Sequence, residues 1–140
     1  MVQDFSSIAI DPDDDKHYYI TSASTGIYEF KNHEIIPSSI PNQKGENIRF
    51  AIWDGKKLWF APVGKGLFKY DPQSKISTKI TIKKSADCYY CGQVSADGKF
   101  IYFGTNEGVK KLNLQSNKLI HLKAFNEIGS YTGNSTKDIY

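Results

Sequence analysis

An internal repeat narrows what this chain can fold into more than any other feature. Three segments align. The first runs through Ser7-Ile8-Ala9-Ile10, Asp14 to Thr21 and Gly26-Ile27-Tyr28-Glu29-Phe30. The second runs through Arg49-Phe50-Ala51-Ile52, Asp54 to Ala61 and Gly66-Leu67-Phe68-Lys69-Tyr70. The third runs through Gly92-Gln93-Val94, Asp97 to Gly104 and Gly108-Val109-Lys110-Lys111-Leu112. In each, an Asp stands five residues before an aromatic: Asp14 and Tyr19, Asp54 and Trp59, Asp97 and Tyr102. Gly26, Gly66 and Gly108 recur at intervals of 40 and 42 residues. Such a period copies one supersecondary unit along the chain, and each copy needs neighbours to cover its apolar faces.

One repeat reads as four short strands. An alternating run such as Ile48 to Ile52 ends at a polar turn, of which Asp54-Gly55 and Asp97-Gly98 are hairpin pairs. The next run is apolar throughout (Tyr18-Tyr19-Ile20, Leu58-Trp59-Phe60, Ile101-Tyr102-Phe103), which predicts a strand covered on both faces. A Gly-led alternating strand follows, its glycine supplying either a positive φ or a close backbone approach. Turns at Asp71-Pro72-Gln73-Ser74 and Asn113 to Asn117 then lead into last strands at Lys75 to Ile82 and Lys118 to Leu122.

Four antiparallel strands per 40–45 residues is the period of a β-propeller blade. The expected fold is all-β, with about three four-stranded antiparallel blades in an incomplete ring. The blades are expected at 1–44, 45–87 and 88–130, with 131–140 a connection and the start of a further blade. A plain sandwich of a dozen strands leaves the fixed Asp-to-aromatic and Gly positions unexplained. Closed propellers have about 4–8 blades. The expected partners are therefore the remaining blades of a larger propeller, or a second copy through exposed blade faces.

Composition excludes several classes. Of 140 residues, 39% are hydrophobic and 24% charged, which fits a globular chain rather than a disordered one. The 14% aromatic share favours strands. No apolar run approaches the roughly 20 residues of a membrane span. A net charge of +3 is too mild and scattered for nucleic acid. The start, Met1-Val2-Gln3-Asp4-Phe5, lacks a signal-peptide pattern, so the chain is either cytoplasmic or cut from a longer exported protein.

From Ile48-Arg49-Phe50-Ala51-Ile52 through Gly66-Leu67-Phe68-Lys69-Tyr70-Asp71-Pro72, the second repeat resembles the two-component regulator propeller repeat. The first repeat, with Asp11-Pro12-Asp13, His17 to Ser22 and Glu29-Phe30-Lys31-Asn32, is similar to a variant of secreted Bacteroidetes propellers. The third departs from the pattern, with Tyr102 for Trp and Val109-Lys110 for Leu-aromatic. The resemblance implies a periplasmic or cell-surface location and recognition rather than catalysis. It implies a module sensing a ligand, a glycan fragment, for a two-component signalling protein. The alternative is a structural or interaction propeller of a cell-surface or secretion-system component, one relative of which binds lipopolysaccharide.

Candidate chemistry is sparse. Cys88-Tyr89-Tyr90-Cys91 has redox spacing, but no helix precedes it to lower a thiol pKa and no second pair completes a zinc site. A structural role is expected, with a disulfide as the alternative. Asp11, Asp13, Asp14 and Asp15 fail a calcium loop, having Lys16 where Gly is needed and Ser22 where Glu is needed. A solvated turn is expected there. His17, His33 and His121 fall at unrelated places in the repeats, and Gly64-Lys65-Gly66 fails the dinucleotide fingerprint. Asn134-Ser135-Thr136 matches a glycosylation acceptor. No enzyme activity, cofactor or metal is expected; a propeller hydrolase would need an acidic or histidine cluster. Ligand contacts are expected at one end of the blades, in Ser22 to Thr25, Gln43 to Asn47, Pro62 to Lys65, Ser85 to Tyr90 and Thr105 to Glu107. There Lys65, Tyr89, Tyr90, Asn106 and Glu107 would suit a sugar by aromatic stacking and hydrogen bonding.

Overall fold

The computed structural model describes residues 4–11, 13–80 and 88–122, with only the backbone described at Asp15. The expected ends of the second and third repeats, the 131–140 connection and Asn134 lie outside them. Among the described residues, twelve strands form three four-stranded antiparallel sheets, each built from consecutive strands. The first contains β1 (Phe5–Asp11), β2 (Asp14–Ser22), β3 (Gly26–Lys31) and β4 (Glu34–Pro37). The second contains β5 (Ile48–Trp53), β6 (Leu58–Pro62), β7 (Phe68–Asp71) and β8 (Ile76–Lys79). The third contains β9 (Tyr89–Val94), β10 (Phe100–Thr105), β11 (Gly108–Asn113) and β12 (Lys118–His121). There is no helix among the described residues. The all-β blade architecture expected from the repeat is present. The chain divides into two compact units between Tyr89 and Tyr90.

In the first unit, antiparallel pairing puts Ala9, Tyr19 and Glu29 on one face of the first blade and Ile8, Ile20 and Tyr28 on the other. Ala9, Tyr19 and Ile27 pack into one buried cluster with Ile48, Ala51, Leu58, Phe60, Phe68 and Tyr70 of the second blade. Removing such side chains from water supplies about 1.5–3 kcal/mol each. Hydroxyls tie the two first strands together. Ser6 Oγ donates to the Ile48 carbonyl, Ser7 Oγ accepts from Ala51 N at 3.1 Å, and both serines meet Thr21 Oγ1 at 2.8 Å. A register shift in β1 between Phe5 and Ser7 sets Ser6 and Ser7 against the same Thr21.

The opposite face of the first blade buries Ile20 but is open around it, with Ile8 58%, Ile10 50% and Ile35 50% exposed. Two-sided cover, expected for all three apolar runs, therefore holds in full only for β6, buried at all five positions. Tyr18 is half-buried, on the open face, and Tyr102 is 37% exposed.

The fixed Asp is a turn brace. Asp54 Oδ1 accepts from Lys56 N and Lys57 N at 2.8 Å, while Oδ2 accepts from Trp59 Nε1 at 2.7 Å. Asp14 and Asp97 hold their turns by the same backbone contact, to Lys16 N and Lys99 N. The fixed Gly answers both open readings at Gly26. Its φ is +102°, and a Cβ there would stand 2.3 Å from Gln43 Oε1. Gln43, 4% exposed, accepts from Ile27 N at 2.6 Å and donates through Nε2 to the Ser38 and Ile40 carbonyls.

Candidate functional site

The loop end expected to bind ligand is largely satisfied by its own bonds. Ser22 Oγ accepts from Ser24 N, Thr25 N and Thr25 Oγ1, and Gln43 is the buried brace just described. Lys65 stands at the β6–β7 turn and pairs with Glu46, which comes from the connection between the first two blades. In the second unit, Asn106 and Glu107 are exposed at the β10–β11 turn. That turn is closed by Thr105 Oγ1, which donates to the Gly108 carbonyl at 2.8 Å and accepts from Glu107 N at 3.1 Å. His121 Nε2 lies 2.7 Å from the Glu107 carbonyl, and Lys110 Nζ lies 3.9 Å from its carboxylate.

Tyr89 corrects an expectation. It is completely buried, and with Tyr90 it lies in β9 rather than in a loop. Alternation along the strand turns one ring inward and leaves the other 44% exposed. Tyr90, Asn106 and Glu107 thus share one unit, while Lys65 belongs to the other. No disulfide joins Cys88 and Cys91, and a Cβ at position 104 would lie 2.9 Å from Cys91 Sγ, so Gly104 makes room for that sulfur. The acidic run folds as a turn in which Asp11 Oδ1 accepts from Asp13 N at 2.9 Å.

Sequence reading missed the cavities at the opposite end of the first unit. One, of about 520 Å³, opens between the first two blades and is lined by Asp11, His17, Tyr19, Trp53, Lys57 and Asp71, among others. Tyr19 and Trp53 stack with ring centroids 6.5 Å apart and planes at 28°. Asp71 pairs with Lys57 at 3.0 Å, which first, with the Gln73 amide next, holds its carboxyl below the usual carboxylate range. Burial first, and then Glu29, raises the Tyr19 and Tyr70 phenols, so both stay protonated donors at neutral pH. Trp53 Nε1 and His17 Nε2 are buried without a hydrogen-bond partner. A second open cavity of about 800 Å³ borders the stacked Tyr18 and Phe30 rings, whose centroids are 4.6 Å apart. No local motif marks the first, because its lining comes from turns some 40 residues apart and from strand positions that read as core; the second is lined by residues 14, 16–18 and 30–33 of the first blade alone.

Among the described residues no His, Cys, Asp and Glu cluster suits a metal, and no helix is long and apolar enough to cross a membrane.

These blades define the chain as β-propeller in fold. It is similar to the extracellular domain assigned to the hybrid two-component system BT3049 of B. thetaiotaomicron, with a TM-score of 0.68 and 18% identity over 84% of this chain. An extracellular domain assigned to the one-component system BT4673 of the same organism gives 0.67 and 11% over 84% of the chain. The GH74 enzyme of Niastella koreensis gives 0.69 and 15% over 82%. The chain spans 16% of each of these extracellular domains and 21% of the enzyme. No family model matches the sequence. No curated protein matches it either.

Proposed function

We propose that this chain contributes blades to an extracytoplasmic β-propeller that recognises a glycan for a two-component signalling protein and catalyses no reaction. In this reading 1–44, 45–87 and 88–130 are successive blades, with 131–140 leading to another. The observation that carries the reading is the cleft of the first unit. It joins two aromatic rings, one of them the protonated Tyr19 phenol, to the Lys57–Asp71 ion pair. Likeness to two extracellular sensor domains supports the location and role. The enzyme neighbour makes hydrolysis the outcome to test. Lys65 in the first unit, and separately Tyr90, Asn106 and Glu107 in the second, are assigned as further candidate contacts for a glycan. Calorimetric titration with oligosaccharide fragments, with chromatography of the mixture, is expected to give saturable heat and no cleavage. Cleavage products would overturn the non-catalytic part, and absence of heat across the panel would overturn recognition.

A second reading, a structural interaction propeller of a surface or secretion component, is favoured by the open apolar face at Ile8, Ile10 and Ile35. Light scattering after size exclusion weighs it. A clean dimer would mean that this face pairs with another copy, whereas a monomer that binds glycan favours the sensor.

A further inference from the structure

We infer that the cleft between the first two blades is a saccharide subsite, with Tyr19 and Trp53 as its aromatic wall and Asp71, Lys57 and Gln73 as its polar rim. The inference rests on the recognition reading and names where in the molecule, and for which class of glycan, it would operate. Two sheets build the cleft: Asp11, His17 and Tyr19 come from the first, Trp53, Lys57, Asp71 and Gln73 from the second. Its volume of about 520 Å³ lies within the range of small-molecule sites.

Charge selects the ligand. Two carboxylates, Asp11 and Asp71, face two ammonium groups, Lys56 and Lys57, so the lining has no net charge to offer a phosphate or a uronate. What remains is an apolar wall beside a rim of mixed donors and acceptors. A pyranose matches this, with one face of C–H groups and an edge of hydroxyls. Asp71 is already shaped for the task. Its Oδ2 is held by Lys57 and its Oδ1 by Gln73 N at 2.9 Å, and Ser74 bonds the carboxylate as well, which fixes it with some acceptor capacity to spare.

A second observation points the same way. Trp53 Nε1 belongs to a cavity-lining residue and is buried without a hydrogen-bond partner, and His17 Nε2, also in the lining, meets Glu29 Oε1 only at 3.7 Å. An unmet buried donor costs about 1–3 kcal/mol. Such a donor in the cleft is what a site looks like before a hydroxyl-bearing ligand satisfies it. Trp59, the other tryptophan of the chain, already bonds Asp54 and leaves Trp53 as the one indole with this vacancy.

The test titrates the chain with maltose, cellobiose and xylobiose, and with digalacturonate as the charged counterpart, by calorimetry and tryptophan fluorescence. At least one neutral disaccharide is expected to bind and shift the emission. Trp53→Phe keeps an aromatic wall and should abolish most of the emission change, since Trp59 is 1% exposed. Trp53→Ala and Gln73→Ala should each weaken binding, the former at least about tenfold, a loss of about 1.4 kcal/mol. Gln73→Ala is a turn-surface change that keeps the test decisive if Trp53→Ala fails to fold. Tighter binding of digalacturonate than of every neutral sugar would overturn the inference. So would neutral binding that survives Gln73→Ala, and Trp53→Ala where that variant folds, but disappears in Asn106→Ala or Glu107→Ala; that result would leave the recognition reading standing. Failure of every sugar to bind would remove both.

Discussion

The second and third blades carry nearly the same apolar run, Leu58-Trp59-Phe60-Ala61 and Ile101-Tyr102-Phe103-Gly104, and bury it differently. In β6 every position is buried, whereas in β10 Ile101 and Phe103 are buried and Tyr102 is 37% exposed. An all-apolar run specifies a strand able to accept cover on both faces, and the surroundings decide whether both are covered. Where a face stays open, the same residues adapt. Lys111 Nζ lies 4.0 Å from the Phe100 ring centroid and 5.6 Å from that of Tyr102, shielding the rings with a cation.

The largest expected break in this comparison is Trp59→Ala, which should cost about 3–5 kcal/mol by opening a buried cavity. Tyr102→Ala at the matching position should cost under about 1 kcal/mol. Urea midpoints by circular dichroism check the pair, and equal losses would remove the distinction between the blades. Next is Gly26→Ala, expected to cost at least about 2 kcal/mol because a positive φ and a clash with Gln43 coincide. Gly55→Ala, with φ +107° and nothing within 4 Å of the new Cβ, isolates the φ term at about 1 kcal/mol. Asp54→Ala should cost about 1–2 kcal/mol through the lost turn and indole bonds. Asp97→Ala should cost less, since Asp97 bonds Ser95 Oγ and Lys99 N but no aromatic.

The smallest effect is that of pH. Asp71, held low mainly by Lys57, and Asp97, held low mainly by Ser95 Oγ, have depressed folded-state values. Their stabilisation is therefore present above about pH 4 and lost as pH falls through the lowered values. Lys57→Met should flatten the acid limb in the second blade and Ser95→Ala in the third, read as urea midpoints from pH 6 to 3. The raised Tyr19 and Tyr70 phenols act at the other extreme. Their contribution is complete below about pH 10 and lost above it, and phenolate absorbance should show both ionising late.

The blades were legible because period, Asp-Gly turns and apolar runs are local properties. The Asp-to-aromatic interval was visible as a pattern, but its meaning needed coordinates: only Trp59 has an N–H that reaches back to its Asp. Tyr89 reads as a stacking contact in the sequence, yet it is buried, because a Tyr-Tyr pair before a strand carries no sign of which ring turns inward. The cleft escaped notice for a different reason. Tyr19 and Trp53 each look like core residues in their own strand, and only the stacking of two sheets turns them into facing walls.

Gln43 has a consequence for how the first unit opens. Its side chain caps the amide of Ile27 at the start of β3 and holds two carbonyls of the segment that leads on to β5. That segment is exposed at Pro41, Asn42, Lys44 and Gly45, where a protease would ordinarily find an easy cut. Seating it in a cleavage site requires releasing the Gln43 latch and with it the protection of a strand amide. Cleavage there and deuterium uptake at Ile27 should therefore follow one opening event rather than two.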